Sequence, residues 1–423
     1  MSAQDKHGAF RIEGGRRLAG AVDIGGSKNA TLGAMAAALL VPDESILENV
    51  PDIGDVEHMA RVLRSLGAAV EWAAPHTLRI SAADLRGSSP PSDLVGNLRG
   101  SFLVMGALLT RLGEAACAPP GGDVIGQRPI DVHLAGFAAL GARVQREEDK
   151  FVASAERLTG AAIFADYPSV LGTQNLMMAA VKARGRTTIV NAAAEPEVQS
   201  LAAMLQAMGA RITGAGTHTL EIDGVDELHG TRYAIIPDRL EAGTYAIAGA
   251  ITRGEVEVRG ACVEHLPSLI AKLREAGVSV DTGGDCIRVR GTDELRAVTI
   301  QALPYPGLAT DLQALMAVLL TQARGVSYVH ERVFDNRLLY VGELRKMGAE
   351  VVTTGTTTAI ISGPTPLLGA RVRALDVRAG AALILAALVA RGRTEITDIY
   401  HVDRGYEGID QKLRSLGASI ERV

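Results

Sequence analysis

The sequence is poor in aromatic residues, in cysteine and in excess positive charge, and each shortage excludes a class of protein. Aromatics make up 4% of the 423 residues although 47% are hydrophobic, so the core must be built from alanine, valine, leucine and isoleucine. The net charge of −5 argues against general binding to nucleic acid or to anionic membranes. The three cysteines are scattered and form neither CxxC pairs nor a disulfide framework, which favours a reducing cytoplasm.

Long apolar runs are also lacking. No stretch of 18 uninterrupted apolar residues occurs, and the first residues, MSAQDKHGAFRIEGG, contain no apolar segment typical of a secretory signal. The sequence therefore predicts neither a membrane span nor secretion. No cluster of histidine, cysteine and aspartate has metal-ligand spacing, and neither a P-loop nor a dinucleotide fingerprint is found. We expect no metal and no cofactor.

A sixfold repeat is the main feature that the sequence contains. In each copy a helix ends in a short run of apolar and polar residues, which is followed by a glycine. A strand then begins with a β-branched residue, as in LRSLGAAV (63–70) and LRSLGASI (413–420). A glycine at that point lets the helix end through a left-handed residue. The six glycines, spaced 74, 68, 68, 71 and 69 residues apart, are Gly67, Gly141, Gly209, Gly277, Gly348 and Gly417.

Every repeat also holds a second helix that is apolar nearly all round, for example DLQALMAVLLTQA (311–323), and such a helix is buried. We therefore expect an α/β fold of six βαβαββ-type units, three per domain, with buried helices inside and sheets outside. The chain is too long for one ordinary core. We place a C-terminal-type domain at 1–27 plus 237–423 and an inserted domain at 28–236. The inserted domain carries a loop at 119–126 whose glycines suit a mobile lid, although they also suit any tight turn.

Polar residues stand at the starts of the apolar helices. Helix N-termini expose unpaired N–H groups and favour anions. If the helices of a domain run parallel, these residues converge and two such faces form a cleft for phosphate and carboxylate ligands. Ser169, Thr310 and Asp311 can equally be ordinary caps. A lysine or arginine at a helix N-terminus is unfavourable because its charge opposes the helix dipole, so its presence there indicates a role in ligand binding. The positions are Lys28-Asn29, Arg99, Ser169, Asp238-Arg239, Thr310-Asp311 and Asp376-Val377-Arg378.

Eight motifs, taken in their order and spacing, make the chain resemble the enolpyruvyl transferase family. It looks most like the UDP-N-acetylglucosamine 1-carboxyvinyltransferases and, more distantly, the 5-enolpyruvylshikimate-3-phosphate synthases. The resemblance implies a two-domain inside-out α/β barrel. It also implies transfer of an enolpyruvyl group from phosphoenolpyruvate to a uridine nucleotide, the first committed step of peptidoglycan precursor synthesis. The motifs are GGSKNATL (25–32), PGGDVIGQRPIDVH (120–133), NAAAEPE (191–197), IPDRLEAGTY (236–245), YPGLATDLQ (305–313), VFDNRL (333–338), DVRAGAAL (376–383) and HVDRGYEGI (401–409).

The resemblance implies roles for individual residues. Asp311 matches the proposed base that activates the acceptor hydroxyl, and Lys28 and Arg404 are implied in catalysis as well as in binding. His133 and His401 lie inside matched motifs and either face ligand or are structural. The residues implied in phosphoenolpyruvate binding are Lys28, Arg128, Arg337, Arg378 and Arg404. Those implied in nucleotide binding are Asn29, Arg99, Arg128, Pro129, Ile130, Asp131, Val132, Ser169, Val170, Leu171, Asp311 and Val333.

The position of the proton donor departs from the common family pattern. The mobile loop of relatives usually reads PGGC, and its cysteine is alkylated by fosfomycin, whereas Asp123 stands there in this chain. Some family members carry the same exchange, and a carboxylic acid can donate a proton. Because a carboxylate attacks an epoxide far more weakly than a thiolate does, the sequence predicts resistance to fosfomycin.

The acceptor is less firmly indicated by the sequence. Leu171 replaces a glycine in the turn that wraps the nucleotide, and Asp52, Gly54 and Ala194 stand where many relatives carry cations. These departures leave open a paralogue acting on UMP or a similar nucleotide, as in nucleoside-antibiotic pathways. A catalytically inactive ligand-binding homologue is a further alternative. In each case the expected partners are small molecules, and the expected state is a monomer or a weak homo-oligomer.

Overall fold

The computed structural model describes residues 8–123, 125–126 and 129–423, and the chain divides into two compact units. Unit 1 comprises Met1–Gly25, Asp123–Arg128 and Pro237–Val423, and unit 2 comprises Gly26–Gly122 and Pro129–Ile236. The sequence prediction assigned the whole 119–126 loop to the inserted domain, but the structure groups its second half with unit 1. Packing explains this difference, because Asp123 pairs with Arg404 and the backbone of Gly126 lies directly against Asp335.

The helices follow the expected alternation of buried and more exposed elements. In chain order they are α1 (Lys28–Ala37), α2 (Gly54–Ser65), α3 (Ser92–Val95), α4 (Val104–Leu112), α5 (Asp131–Ala139), α6 (Val170–Ala180), α7 (Pro196–Ala207), α8 (Arg239–Ile251), α9 (Pro267–Glu275), α10 (Thr310–Leu320), α11 (Tyr340–Lys346), α12 (Val377–Val389), α13 (Tyr400–Asp403) and α14 (Ile409–Ser415). Short 3₁₀ helices span Ala38–Leu40, Arg99–Leu103 and Val263–His265. α1, α4, α6, α8, α10 and α12 are the predicted apolar helices, and most of their residues are buried.

The strands are short, as expected for a chain punctuated by 47 glycines. They are β1 (Ala9–Glu13), β2 (Ala19–Asp23), β3 (Glu44–Glu48), β4 (Ala69–Ala74), β5 (Thr77–Ser81), β6 (Glu114–Cys117), β7 (Arg143–Glu147), β8 (Lys150–Ser154), β9 (Ala162–Phe164), β10 (Arg186–Val190), β11 (Arg211–Thr213), β12 (Thr219–Asp223), β13 (Arg232–Ala234), β14 (Glu255–Arg259), β15 (Ser279–Gly283), β16 (Cys286–Arg290), β17 (Thr299–Ala302), β18 (Gly325–Glu331), β19 (Val351–Thr354), β20 (Thr358–Gly363), β21 (Arg371–Arg373), β22 (Arg393–Thr397) and β23 (Ser419–Arg422).

Six small sheets express the sequence repeat within the described residues, three in each unit. Five of them have one parallel pair followed by antiparallel pairs, as in the order β17-β18-β20-β19, where Tyr328 lies opposite both Thr299 and Ile360. The sixth, β6-β8-β7, has no parallel edge strand in the part of the chain that the structure describes. β1 and β2 complete sheets of unit 1 whose other strands come from the second half of the chain, so this unit is built from two separate parts of the sequence.

The repeat glycines adopt the conformation that the pattern predicted. All six have positive φ, between +88° at Gly348 and +106° at Gly209, and each follows a helix that leads into a strand. The apolar helices pack inside their units and the sheets lie outside them, with alternate strand residues buried. The predicted two-domain α/β architecture is therefore confirmed. Within the described residues, no helix has both the length and the apolar character that crossing a membrane requires.

The starts of the buried helices converge within unit 1. Asp238 caps α8 by accepting hydrogen bonds from Leu240 and Glu241, and Asp376 caps α12 in the same manner. The first turns of α10 and α12 are joined directly, because Arg378 donates a hydrogen bond to Asp311. Helix starts and polar side chains are thereby concentrated at one end of this unit.

Candidate active site

Asp311 lies between two buried arginines where α10 and α12 begin. Its carboxylate accepts hydrogen bonds from Arg337 Nη2 at 2.8 Å and from Arg378 Nε at 3.2 Å. The side chains of Arg337 and Arg378 are 6% and 4% exposed, whereas that of Asp311 is 24% exposed. The structure therefore brings together three residues that the sequence predicted separately, and leaves the carboxylate accessible from solvent.

A second carboxylate, that of Glu331, is hydrogen-bonded to this cluster through Thr310. Glu331 ends β18 and is buried, and its Oε2 accepts the hydroxyl proton of Thr310 at 2.7 Å. The Thr310 oxygen in turn accepts a hydrogen bond from Arg337 Nη1 at 3.0 Å. Burial by itself lowers the pKa of Arg337, but Asp311, Asp376 and Glu331 together raise it above its usual range, so this guanidinium stays charged.

Arg378 has two terminal nitrogens that lack a hydrogen-bond acceptor among the described residues. Its Nε is used by Asp311, and its guanidinium carbon lies 5.1 Å from the centre of the Tyr406 ring. Burial lowers the pKa of Arg378, but Tyr406, Asp311 and Asp238 raise it above its usual range. A buried, charged guanidinium with unused donors is suited to binding an oxyanion, since leaving such donors unsatisfied is costly.

Asp123 and Arg404 form an ion pair in unit 1. Arg404 Nη1 donates to Asp123 Oδ1 at 3.1 Å, and the two side chains are 17% and 20% exposed. His401 is half-buried beside them: burial lowers its pKa, Asp123 raises it and Arg404 lowers it, for a net decrease. His401 Nδ1 is buried and has no hydrogen-bond partner in the part of the chain that the structure describes. The predicted proton donor thus lies beside a predicted anion-binding arginine.

Lys28 begins α1 in unit 2 and is held by an acidic partner. Its Nζ donates to Asp55 Oδ2 at 3.0 Å, with side-chain exposures of 13% for the lysine and 3% for the aspartate. Ser27 caps the helix by accepting from the backbone N–H of Ala30 at 3.4 Å, and Asn29 lies half-buried in the first turn. The sequence predicted an anion-binding lysine; the structure adds Asp55, which fixes the position of the ammonium group.

The segment predicted to contact the uracil adjoins Arg99. Arg99 opens a 3₁₀ helix, and its Nη2 donates to the carbonyl oxygen of Pro129 at 3.2 Å. Pro129 and Asp131 are exposed, while Ile130 and Val132 are half-buried around the start of α5. Arg128, predicted to bind both substrates, lies outside the described residues.

Leu171 does not disturb the turn in which relatives carry glycine. It occupies an ordinary helical position in the first turn of α6, whose N-cap Ser169 accepts from the N–H of Gly172 at 3.1 Å. A Cβ atom at Gly172 would lie 2.9 Å from Val132 and 3.0 Å from Ser169. The close approach therefore occurs at Gly172, between two segments predicted to bind the nucleotide, and Val170 lies half-buried beside it.

His133 is a structural residue in unit 2. It is buried, its Nδ1 accepts a hydrogen bond from the Asn175 side chain at 2.8 Å, and its ring meets Phe102 edge-on. Burial, and secondarily the charge of Arg99, lower its pKa to about 3, so the ring is neutral at physiological pH. Of the two readings that the sequence left open, the structure favours the structural one for this histidine.

Glu331, Asp55 and Tyr406 were not predicted from the sequence, and Thr310 was named as a helix-start residue that either faces an anion or is an ordinary cap. The signal for Glu331 was present: Ser327, Val329 and Glu331 share the inward face of β18, and a glutamate on that face requires buried partners. Asp55 and Tyr406 gave no such signal, since their partners are distant in sequence. Val333, a predicted nucleotide contact, donates its N–H to Glu331 at 2.8 Å.

The chain is similar to proteins of known activity along nearly its whole length. The family model described as EPSP synthase (3-phosphoshikimate 1-carboxyvinyltransferase) matches residues 12–413. A UDP-N-acetylglucosamine 1-carboxyvinyltransferase of Finegoldia magna is 48% identical over 417 residues, which is 98% of each chain. One of Staphylococcus aureus (strain N315), numbered 1, is 49% identical over 415 residues, 97% of this chain and 98% of the relative.

Solved structures agree with this similarity. The enolpyruvyl transferase NikO from Streptomyces tendae superposes with a TM-score of 0.89 at 28% identity, covering 99% of both chains. An EPSP synthase from Acinetobacter baumannii gives a TM-score of 0.75 at 17% identity, covering 99% of this chain and 100% of that one. At that identity the second match shows a shared fold alone.

Proposed function

Because the chain belongs to the EPSP synthase (3-phosphoshikimate 1-carboxyvinyltransferase) family of enzymes, we propose that it transfers the enolpyruvyl group of phosphoenolpyruvate to the 3-hydroxyl of UDP-N-acetylglucosamine. Phosphate is released in this reaction, which is the first committed step of peptidoglycan precursor synthesis. The relatives named for this activity, at 48% and 49% identity, support this acceptor over UMP. The unpaired thiols Cys117, Cys262 and Cys286 support a cytoplasmic location.

The buried terminal nitrogens of Arg378 are the observation that supports phosphoenolpyruvate as the donor substrate. Phosphoenolpyruvate is a small molecule with a phosphate and a carboxylate, and it requires several fixed cations. Arg378 has two buried terminal nitrogens without an assigned acceptor among the described residues, and Arg337 is held beside it through Asp311. We assign these two arginines, with Arg404 and Lys28, to the donor.

Asp311 and Asp123 supply the two proton transfers of the addition step, which is the first half of the reaction. The acceptor oxygen bonds to the central carbon of phosphoenolpyruvate while its proton passes to a base and another proton is added to the terminal carbon. The resulting tetrahedral intermediate then expels phosphate as a proton leaves the methyl carbon. Asp311, anchored by two arginines and partly exposed, is suited to act as the base. We assign the acid to Asp123, which has to take up a proton, and so give up its charge pairing with Arg404, before it can donate.

The acceptor is tested directly by phosphate release. The enzyme is incubated with phosphoenolpyruvate and, separately, UDP-N-acetylglucosamine, UMP or shikimate 3-phosphate, and the product is identified by its mass. We expect turnover with UDP-N-acetylglucosamine alone. Turnover only with UMP would instead identify the nucleoside-type paralogue, and no release with any acceptor would identify an inactive homologue.

The role of Arg378 is tested by Arg378→Lys, which keeps the charge and removes the planar fork. Arg422→Lys is the matched control in the same unit, because Arg422 also binds carboxylates, those of Asp403 and Asp410. We expect the first variant to raise the KM for phosphoenolpyruvate about tenfold or more and the second to leave it unchanged. Equal KM values in the two variants would remove Arg378 from the donor site.

A further inference from the structure

Glu331 is a buried carboxylate whose two oxygens serve different parts of unit 1. Oε2 accepts the Thr310 hydroxyl at 2.7 Å, while Oε1 accepts the backbone N–H groups of Val333 at 2.8 Å and Phe334 at 3.1 Å. Three donors thus converge on one side chain that is 1% exposed. Burial raises the pKa of Glu331, and the Thr310 hydroxyl, Arg337 and the two N–H groups lower it in part. The two N–H groups at Oε1 and the hydroxyl at Oε2 are donors, so Glu331 accepts at both of its oxygens.

Thr310 is oriented by this carboxylate. A hydroxyl has one proton, and Thr310 uses it in the hydrogen bond that it donates to Glu331. Towards Arg337 Nη1, at 3.0 Å, the Thr310 oxygen can therefore only accept. The other terminal nitrogen of Arg337 donates to Asp311 at 2.8 Å. Arginine can only donate, so the hydrogen bonds from Arg337 to Thr310 and to Asp311 have one possible direction, and Thr310 completes the series by donating to Glu331.

We propose that Glu331 is a positioning residue that aligns the base and a donor-binding arginine through Thr310, and the nucleotide-contacting turn at Val333 through its second oxygen. This inference rests on the proposed function, in which Arg337 binds phosphoenolpyruvate, Asp311 is the base and Val333 contacts the nucleotide. One buried side chain then couples the geometry of the donor side to that of the acceptor side, without touching either substrate.

The division of labour between the two oxygens gives a kinetic signature. Thr310→Val removes the hydroxyl at nearly constant volume and breaks only the donor branch. Hydrogen bonds to charged groups justify an expected fall of about 10- to 100-fold in kcat/KM for phosphoenolpyruvate. The KM for UDP-N-acetylglucosamine should change by less than about threefold, since the bonds from Val333 and Phe334 to Glu331 remain. Thr310→Ser, which restores the hydroxyl, should recover the wild-type values.

Glu331→Gln perturbs both branches, because an amide has one acceptor oxygen where the three donors need two. We expect it to lower kcat/KM for phosphoenolpyruvate and also to raise the KM for the nucleotide. In a double-mutant cycle with Thr310→Val, the losses on the donor side should be less than additive, as they remove the same interaction.

Two controls separate positioning from stability. Thr321→Val removes a fully buried hydroxyl at the other end of α10, and Glu343→Gln neutralises a buried glutamate that binds Lys346 and the N–H of Arg373. Both should lower the melting temperature and leave kcat and both KM values near those of the wild type.

The outcomes distinguish this inference from the proposed function. If the wild type releases no phosphate with any acceptor, the proposed function fails and the inference fails with it. If the wild type is active, the inference alone is overturned by Thr310→Val kinetics that match Thr321→Val, or by a Thr310→Ser variant as impaired as Thr310→Val. It is also overturned by Glu331→Gln leaving the nucleotide KM unchanged.

Discussion

Neutralising Asp311 should slow the reaction and tighten binding of phosphoenolpyruvate at the same time. Asp311→Asn keeps the size of the side chain but removes the base and the negative charge between Arg337 and Arg378. A positioned general base contributes about 10²- to 10⁴-fold, so kcat should fall by that factor. An anion bound to either arginine would no longer be repelled by the carboxylate.

The size of the affinity gain follows from the geometry. Two consecutive hydrogen bonds across a guanidinium place a bound oxyanion about 6–7 Å from Asp311. At an effective dielectric constant of about 20, two unit charges at that distance repel by about 2.4–2.8 kcal/mol. Because Asp311 is 24% exposed, solvent and salt reduce this to about 1 kcal/mol, or about fivefold in the dissociation constant.

The assay combines steady-state kinetics with calorimetric titration of phosphoenolpyruvate. Asp410→Asn is the matched control, because Asp410 is buried and also bridges two arginines, Arg414 and Arg422, in the same unit. Both variants should be destabilised, since each removes a carboxylate that two arginines share. Only Asp311→Asn should lose turnover and gain affinity for the donor.

Two results would contradict this reasoning. A kcat for Asp311→Asn within about threefold of the wild type would exclude Asp311 as the base. Weaker rather than tighter binding of phosphoenolpyruvate would mean that Asp311 holds Arg337 and Arg378 in place for the donor, and that losing this support outweighs the lost repulsion.

Three further predictions concern other parts of the chain. Fosfomycin should not label the wild type but should add its mass to Asp123→Cys, as seen by intact-protein mass spectrometry. The pKa of His133 is lowered by burial and then by Arg99 to about 3, so the unfolded chain takes up a proton below about pH 6.5 that the folded chain does not. The free energy of unfolding should therefore fall by up to about 1.4 kcal/mol per pH unit as the pH is lowered from 6.5 towards 3. Denaturant titrations of His133→Gln should lack this contribution to the pH dependence. Gly172→Ala should raise the KM for the nucleotide, because the added methyl group would press on Val132. Its kcat should stay near that of the wild type. An unchanged KM would show that Gly172 does not belong to the nucleotide site.

The repeat architecture was predictable because its signals are local. A glycine such as Gly348 ends a helix through its own backbone conformation, and an all-apolar segment such as α12 has no stable place outside a core. The grouping of Asp123 with unit 1 was not predictable in this way. It depends on Arg404, 281 residues further along the chain, and on the packing of Gly126 against Asp335.

The candidate site was predictable only in part, for the same reason. Resemblance to relatives identifies Asp311, Arg337 and Arg378 as residues of interest, but their hydrogen bonds join three segments that are distant in sequence. The pairing of Lys28 with Asp55 and the role of Thr310 as an acceptor for Arg337 depend on side-chain geometry that no local pattern encodes.

The departures from the family pattern on the acceptor side carry less weight once their surroundings are known. Leu171 needs no special backbone conformation, because α6 has already begun at Val170 and the close approach falls on Gly172. Ala194 is 5% exposed and its carbonyl oxygen accepts from Gln199, so this small residue is packed into its own turn. Neither position requires a smaller or less anionic acceptor. The argument for a UMP-type paralogue therefore depends on Asp52 and Gly54 alone. If UDP-N-acetylglucosamine is the substrate, replacing Gly54 by lysine should leave the choice of acceptor unchanged.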